Sequence, residues 1–265
     1  PVIDINNNPS NPVINDRSFG QSKAQVIQQG IAYMKGMQDN GIMATAKHFP
    51  GHGDVNVDSH FDLPVINKSK AELDSLELVP FKALIDAGIE SIMVAHLSVP
   101  AIDDRPKYAT SISPNAVNGL LKKELGFKGI SVTDAMDMKA IANYFPQGEA
   151  NVQAILAGND MLCLPGDLGQ SIQKIRSAIK ERRLKRSDIN ARVKKILTAK
   201  YKHGLDLPQQ IDTNNIVADL NQSVGTINAE MAQQSLTFLR ATNSPILNNE
   251  TAYIAFNAKS ANVLT

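Results

Sequence analysis

The segment from Lys47 to His60 concentrates the chemically versatile side chains of this sequence. It reads KHFPGHGDVNVDSH and holds three of the five histidines together with two aspartates. A metal site, an acid/base pair and a plain surface loop are the three interpretations of such a segment. His48 and His52 have the four-residue spacing of zinc-binding helices, but the proline and glycines around them oppose a helix. We therefore predict no metal site.

Asp58 and His60 are the better pair for chemistry. Separated by one residue, their side chains point to the same side of an extended segment. A carboxylate beside an imidazole fixes its tautomer and raises its basicity, which suits general acid/base catalysis near neutral pH. The alternative is a surface histidine preceded by an aspartate that caps a turn.

Asp134 ends the apolar run ISVTDA, in which Ile130, Val132 and Asp134 share one face. Burial of a carboxylate at the end of such a strand costs several kcal/mol unless it is well paired or has a function. Asp137 falls in the first turn of the next predicted helix, where an acid is ordinary. Asp134 is therefore our predicted nucleophile.

Three basic side chains, Arg17, Lys47 and His48, are hydrogen-bond donors suited to a polyhydroxylated ligand. A structural ion pair is the alternative role for Lys47.

The elements that must position these residues are read from five apolar runs, each ending in polar residues. The runs are continuous rather than alternating, which is typical of strands covered on both faces in a parallel sheet. They are PVIDINN (1–7), IMATAKH (42–48), SIMVAHL (91–97), GISVTDA (129–135) and NDMLCLP (159–165).

Helical patterns separate the five runs. The predicted helices follow Ser22, Ser69 (with Glu72, a capping box), Ser113-Pro114 and a point near Glu149. This order predicts a parallel α/β fold. The strand ends carry Asp4, Lys47, His48, His96 and Asp134, and a (β/α)8 TIM-type barrel keeps its active site at that end. A doubly wound sheet would also bind ligands there, but the glycine-rich dinucleotide fingerprint is missing.

Five strands do not close an eight-stranded barrel, so the expectation is that about three βα units precede Pro1. We predict the catalytic barrel at residues 1–205 and a linker at 206–227. A second domain is expected to begin at 228–265, with a helix at 228–240 and a strand at 251–257.

Composition excludes several classes of function. Hydrophobic residues make up 43% of the chain, and 27 basic and 26 acidic residues give a net charge of +1. A balanced charge predicts no nucleic-acid partner, and no apolar run is long enough to predict a membrane-spanning segment. The single cysteine, Cys163, excludes an internal disulfide.

Three segments, in this order, strongly resemble the family 3 glycoside hydrolases. They are PVIDINNNPSNPVINDRSFG, ATAKHFPGHGDVNVDSHFDLP and ISVTDAMDMKAI. The resemblance is to the β-N-acetylhexosaminidase branch, which acts on N-acetylglucosamine in peptidoglycan fragments. It runs from Pro1 to about Leu205, and the later segment resembles the start of an αβα sandwich domain.

The resemblance implies a retaining hydrolase that needs no cofactor. It places the nucleophile at Asp134, the acid/base at His60 and its partner at Asp58. It places sugar-hydroxyl contacts at Arg17, Lys47 and His48. A further sugar-binding aspartate, which the family carries on an earlier strand, has no counterpart in this chain. Gly51 and Gly53 are expected to let the loop move.

Other functions stay open at this stage. A β-glucosidase or β-xylosidase of the same family usually takes a glutamate acid from a second domain and lacks a loop like that of Asp54, Asp58, Ser59 and His60. A phosphorylase would use phosphate instead of water, and an inactive sugar-binding domain of a larger polypeptide is an alternative from another class. The expected partners are an N-acetylglucosamine-containing glycan and further domains of the same polypeptide. We expect an extracytoplasmic location, periplasmic or secreted and with a lipid anchor as one option, with the cytoplasm left open.

Overall fold

A parallel sheet forms the scaffold in the computed structural model, which describes residues 1–56, 62–146, 148–207 and 210–235. Within those ranges the strands are β1 (Thr45–Phe49), β2 (Ser91–Val94), β3 (Ile130–Ala135) and β4 (Met161–Cys163). They lie in the order β1-β2-β3-β4, and each neighbouring pair is parallel. All four carboxyl ends therefore meet at one edge of the sheet.

The first predicted strand, residues 1–7, pairs with β1 only at its beginning. Val2 and Lys47 form a parallel bridge, in which Ile3 N donates to Lys47 O (2.8 Å). Further along, Asn6 N donates to Gly20 O instead of to β1. The segment leaves the sheet at this point, so the prediction that residues 1–7 form a complete strand is wrong.

Helices connect the strands, and the structure has a helix at each of the four predicted places, after Ser22, Ser69 and Ser113-Pro114 and near Glu149. In unit Pro1–Pro208 they are α1 (Lys23–Gln38), α2 (Lys70–Ser75), α3 (Leu78–Asp86), a wider π-type helix (Asn115–Glu124), α4 (Lys139–Ala142), α5 (Glu149–Ala157), α6 (Leu168–Lys180) and α7 (Arg186–Lys202). Short 3-10 helices cover Asn15–Arg17 and Thr110–Ile112.

The predicted capping box is confirmed at the start of α2. Ser69 Oγ accepts the N–H of Glu72, and the Glu72 carboxylate accepts the N–H of Ser69 (2.8 Å). The sequence pattern predicted one helix after Ser69, but α2 ends at Ser75 and α3 begins at Leu78. Pro80 has no N–H to continue an earlier helix and is tolerated in a first turn, which is where it stands in α3.

The main hydrophobic core lies between the sheet and the helices that follow it. Phe49 of β1 and Phe81 of α3 are both fully buried and meet edge to face, with ring centroids 5.3 Å apart. Ile3 and Ile5 are buried in the same cluster. Burial of the first segment therefore does not depend on extended strand pairing.

The second unit, Gln209–Thr265, carries α8 (Ile216–Asn221) and α9 (Val224–Ser235). α9 begins inside the predicted linker and overlaps the predicted helix 228–240. The strand predicted at 251–257 lies outside the described residues, and the predicted domain limits stay a prediction. Over the part of the chain that is described, no helix has the length and apolar character needed to cross a bilayer.

Candidate active site

A buried carboxylate, that of Asp4, organises the carboxyl end of β1. Its side chain is fully buried, and Oδ1 accepts the backbone N–H groups of His48 (3.1 Å) and His52 (2.7 Å). Oδ2 lies 2.8 Å from Nδ1 of the His48 ring. Since an ionised carboxylate only accepts hydrogen bonds, Nδ1 carries the hydrogen, and a neutral ring then has its lone pair at Nε2.

Asp4 is ionised near neutral pH in this environment. Burial alone raises the pKa of the Asp4 carboxyl, but the His48 ring, His52 and the backbone N–H of His48 outweigh burial and hold the pKa below its usual value. The carboxylate therefore orients His48 both electrostatically and through hydrogen bonds.

His52, four residues further on, is also buried in this cluster. Its ring meets that of His48 edge to face, with centroids 5.7 Å apart, and its carbonyl accepts from Asn11 Nδ2 (2.8 Å). Burial lowers the pKa of the His52 imidazole, against the opposing charge of Asp4. His52 is thus neutral near pH 7.

The two glycines of this segment have steric roles. Gly51 has φ +133°, a conformation that other residues rarely adopt, and a Cβ at Gly53 would lie 1.7 Å from the carbonyl oxygen of Ile5. The two glycines are therefore required for close backbone approach, and the expectation that they let the loop move stays a prediction.

Charged and amide side chains hold the loop as far as Asn56. Lys68 Nζ pairs with Asp54 (2.8 Å) and with the buried Glu77, and Asn8 Nδ2 donates to Val55 O (3.1 Å). Burial alone lowers the pKa of Lys68, but the two carboxylates raise it above its usual value. Asp54, which the sequence marked only as part of the resemblance, is thus an anchor of the loop.

Asp134, the predicted nucleophile, stands near the carboxyl end of β3. Its side chain is partly buried, and Oδ1 accepts the backbone N–H of Ala135 (2.9 Å). A carboxylate at this position has a fixed orientation and remains partly accessible, as a nucleophile requires.

Lys47, the middle residue of β1, acts electrostatically on the same thiol as Asp134, that of Cys163. Burial raises the pKa of the Cys163 thiol on β4; the charges of Asp134 and Asp137 raise it further, and Lys47 opposes them. The Asp134 charge also acts on the buried His52. β1 and β3 thus carry Lys47, His48 and Asp134 towards the same edge of the sheet, with β2 between the two strands.

Arg17 lies on the 3-10 helix Asn15–Arg17, where its side chain is exposed and Nη1 donates to Val13 O (3.2 Å). One of its five N–H donors is thus used by its own turn. Asp58 and His60 lie outside the described residues.

Asp4 and His96 stand at predicted strand ends, but their sequence context predicts no function for them, and His52 had only the rejected metal role. The available signal was an aspartate within the apolar run of residues 1–7. Its partners come from 44 and 48 residues away, so local pattern could not supply them. Among the described residues, no group of three His, Cys, Asp or Glu side chains is arranged to hold a metal ion.

Comparison with known proteins decides the family. Residues 1–199 match the family model of the glycosyl hydrolase family 3 N terminal domain. The chain belongs to glycosyl hydrolase family 3. The predicted resemblance is confirmed, and with it the TIM-barrel-like α/β fold to which the parallel sheet belongs.

The family 3 chain is 31% identical to beta-hexosaminidase A of Pseudoalteromonas piscicida, over 89% of this chain and 42% of that protein. It is 37% identical to a family 3 beta-N-acetylglucosaminidase structure from Paenibacillus, with a TM-score of 0.77, over 80% of this chain and 41% of that one. A beta-glucoside phosphorylase structure is 29% identical, with a TM-score of 0.76, over 79% of this chain and 39% of that one. The chain thus spans less than half the length of these relatives.

The buried hydrogen bonds of Asp4 predict the effect of Asp4→Asn. This substitution keeps the shape but removes the charge, which weakens the hydrogen bonds that Asp4 accepts, so we expect the free energy of unfolding at pH 7 to fall by about 1.5–3 kcal/mol. The pKa of Asp4 is lower in the folded protein than in the unfolded chain. The stability that its charge contributes is therefore present above the pKa of the unfolded chain and is lost as pH falls through the pKa of the folded protein. The difference between wild type and variant should therefore shrink in acid, as measured by urea unfolding at pH 7 and pH 3.5.

Asp39→Asn is the matched control, since Asp39 is exposed after α1 and its change should leave stability nearly unaltered. Equal stability of Asp4→Asn and Asp39→Asn at pH 7 would contradict the role of Asp4.

Proposed function

We propose that this protein is a retaining exo-β-N-acetylglucosaminidase, which removes a terminal β-linked N-acetylglucosamine. The observation that carries the proposal is that Asp134 on β3 lies towards the same edge of the sheet as Lys47 and His48 on β1, with the His48 ring held by Asp4. The beta-hexosaminidase and beta-N-acetylglucosaminidase names of its relatives support the sugar. Peptidoglycan fragments are the proposed source, and an extracytoplasmic location goes with them.

In the first half of the reaction, the Asp134 carboxylate attacks the anomeric carbon. The bond from that carbon to the leaving oxygen breaks, and His60, supported by Asp58, donates a proton to the leaving oxygen. In the second half, His60 takes a proton from water, the water oxygen attacks the same carbon, and Asp134 leaves. Two displacements retain the configuration.

Lys47, His48 and Arg17 would bind the hydroxyl groups of the sugar. The lone pair of His48 at Nε2 can accept a hydroxyl hydrogen, because Asp4 keeps the ring hydrogen at Nδ1. Lys47 donates from the position before His48 on β1, and the N–H groups of Arg17 beyond the one on Val13 provide further donors. These contacts orient the anomeric carbon towards Asp134.

A phosphorylase is the second candidate, because the chain is also similar to a beta-glucoside phosphorylase. Phosphate would then replace water in the second displacement and the product would be a sugar 1-phosphate. Both candidates use Asp134 in the same way, so the fate of the glycosyl group separates them.

A product assay with and without phosphate tests the proposed function. With nitrophenyl β-N-acetylglucosaminide we expect free N-acetylglucosamine as the product. The rate with about 50 mM phosphate should lie within about twofold of the rate without phosphate. The matching glucoside should react at least about tenfold more slowly, since the acetamido group adds binding energy. Mass spectrometry of the products is the measurement. A sugar 1-phosphate as the main product would favour the phosphorylase, and a faster glucoside would favour a β-glucosidase.

The proposed role of His60 predicts a dependence on the leaving group. His60→Ala should lower kcat/KM for a disaccharide by about 10²–10⁴-fold, because a sugar alkoxide needs a proton as it departs. A nitrophenolate departs without that help, so kcat/KM for the nitrophenyl substrate should fall much less. Asp58→Asn should show a weaker form of this pattern. Equal losses on both substrates would contradict the acid/base role of His60.

A further inference from the structure

A third buried histidine, His96, is used by none of the steps above. It follows β2, its side chain is fully buried, and both ring nitrogens have a partner. Nε2 lies 2.8 Å from the carbonyl oxygen of Ala135, and Nδ1 lies 2.6 Å from Ser111 Oγ. Ala135 is the residue that follows the proposed nucleophile.

The partners of His96 assign its tautomer. A carbonyl oxygen only accepts, so Nε2 carries a hydrogen and donates to Ala135. Burial lowers the pKa of the His96 imidazole, against the charge of Asp134, which keeps the ring neutral. Nδ1 therefore accepts the hydroxyl hydrogen of Ser111.

Ser111 is itself held in place from two sides. Its backbone N–H donates to Ala95 O (3.1 Å), and its carbonyl accepts from Asn159 Nδ2 (2.7 Å). Ser111 and Asn159 are both fully buried. A continuous series of hydrogen bonds thus runs from Asn159, before β4, to the end of β3.

Ala135 transmits this series to the carboxylate. Its carbonyl accepts from His96, and its N–H donates to Oδ1 of Asp134 (2.9 Å). The backbone carbonyl of Ala135 is therefore bonded to His96 and its backbone N–H to Asp134. A shift of Ala135 would change the direction of the Asp134 carboxylate.

We propose that His96 is a positioning residue for the nucleophile, which orients the Asp134 carboxylate by holding the carbonyl group of Ala135. The inference rests on the proposed function in that Asp134 is taken as the nucleophile. Displacement of an attacking atom by about 1 Å can cost about 10²-fold in rate. Loss of His96 should therefore lower kcat rather than weaken sugar binding.

The test compares His96→Leu with His96→Gln. Leucine removes both hydrogen bonds, whereas the glutamine amide can still donate at the position of Nε2 and bond Ala135. We expect His96→Leu to lower kcat about 10–100-fold with KM within about threefold, and His96→Gln to recover most of the loss. Ser111→Ala, which removes only the partner of Nδ1, should lower kcat by a few-fold.

Ser113→Ala is the matched control for a merely structural effect. Ser113 is fully buried and donates to Asp103, so its loss should lower Tm while leaving kcat close to wild type. A His96→Leu variant with a similarly lowered Tm and unchanged kcat would overturn the proposal. If His96→Leu does not fold, His96→Gln and Ser111→Ala still decide: the proposal requires Ser111→Ala to lower kcat and His96→Gln to stay close to wild type.

Crystal structures of the variants test the same inference without turnover. In His96→Leu the Asp134 carboxylate should have changed direction, and in His96→Gln it should coincide with wild type. An unmoved carboxylate in His96→Leu would overturn the positioning role, whereas wild-type protein that cleaves no glycoside would overturn the proposed function alone.

Discussion

The site depends on one interaction, the burial of the Asp4 carboxylate against His48 and His52. Removal of a charged group from water costs more free energy than its burial contributes to folding, unless hydrogen bonds satisfy the charge. Asp4 receives two backbone N–H groups and one ring nitrogen at 2.7–3.1 Å. The first segment of the chain, the end of β1 and the following loop are thereby fixed relative to one another.

Close backbone approach is the condition for this arrangement. A Cβ at Gly53 would overlap the carbonyl of Ile5, and Ile5 is the residue that follows Asp4. The N–H of His52 reaches the carboxylate because the loop can lie this close to the first segment. The loop is then fixed further by the ion pair of Asp54 with Lys68. A site that appears in sequence as a flexible glycine-rich loop is, up to Asn56, a closely packed one.

Burial also determines which groups near Asp134 are charged. It lowers the pKa of both His52 and His96, so these rings are neutral hydrogen-bonding groups near pH 7. The carboxylate of Asp134 therefore has no positively charged ring beside it from His52 or His96. Its direction is fixed by the N–H of Ala135, in keeping with catalysis by preorganised groups.

Sequence patterns predicted most of the fold because they are local. The capping box of Ser69 and Glu72, the periodic face of α1 and the apolar runs of β1 to β4 each depend on neighbours within a few residues. The prediction of a strand at 1–7 was wrong because the N–H of Asn6 donates to Gly20 O rather than to β1. That partner is distant in sequence, so the local pattern does not indicate it. Asp4 and His96 were noted as polar strand ends, but their partners lie 15 to 48 residues away, beyond any local signal.

The central claim, a covalent intermediate on Asp134, is tested most directly by trapping it. A 2-deoxy-2-fluoro sugar with a good leaving group should label the protein once, and peptide mass spectrometry should place the label on Asp134. The label should be absent from Asp134→Asn and unaffected in Asp137→Asn, whose carboxylate stands three residues away on the same chain. A label on another carboxylate, or equal labelling of Asp134→Asn, would contradict the account.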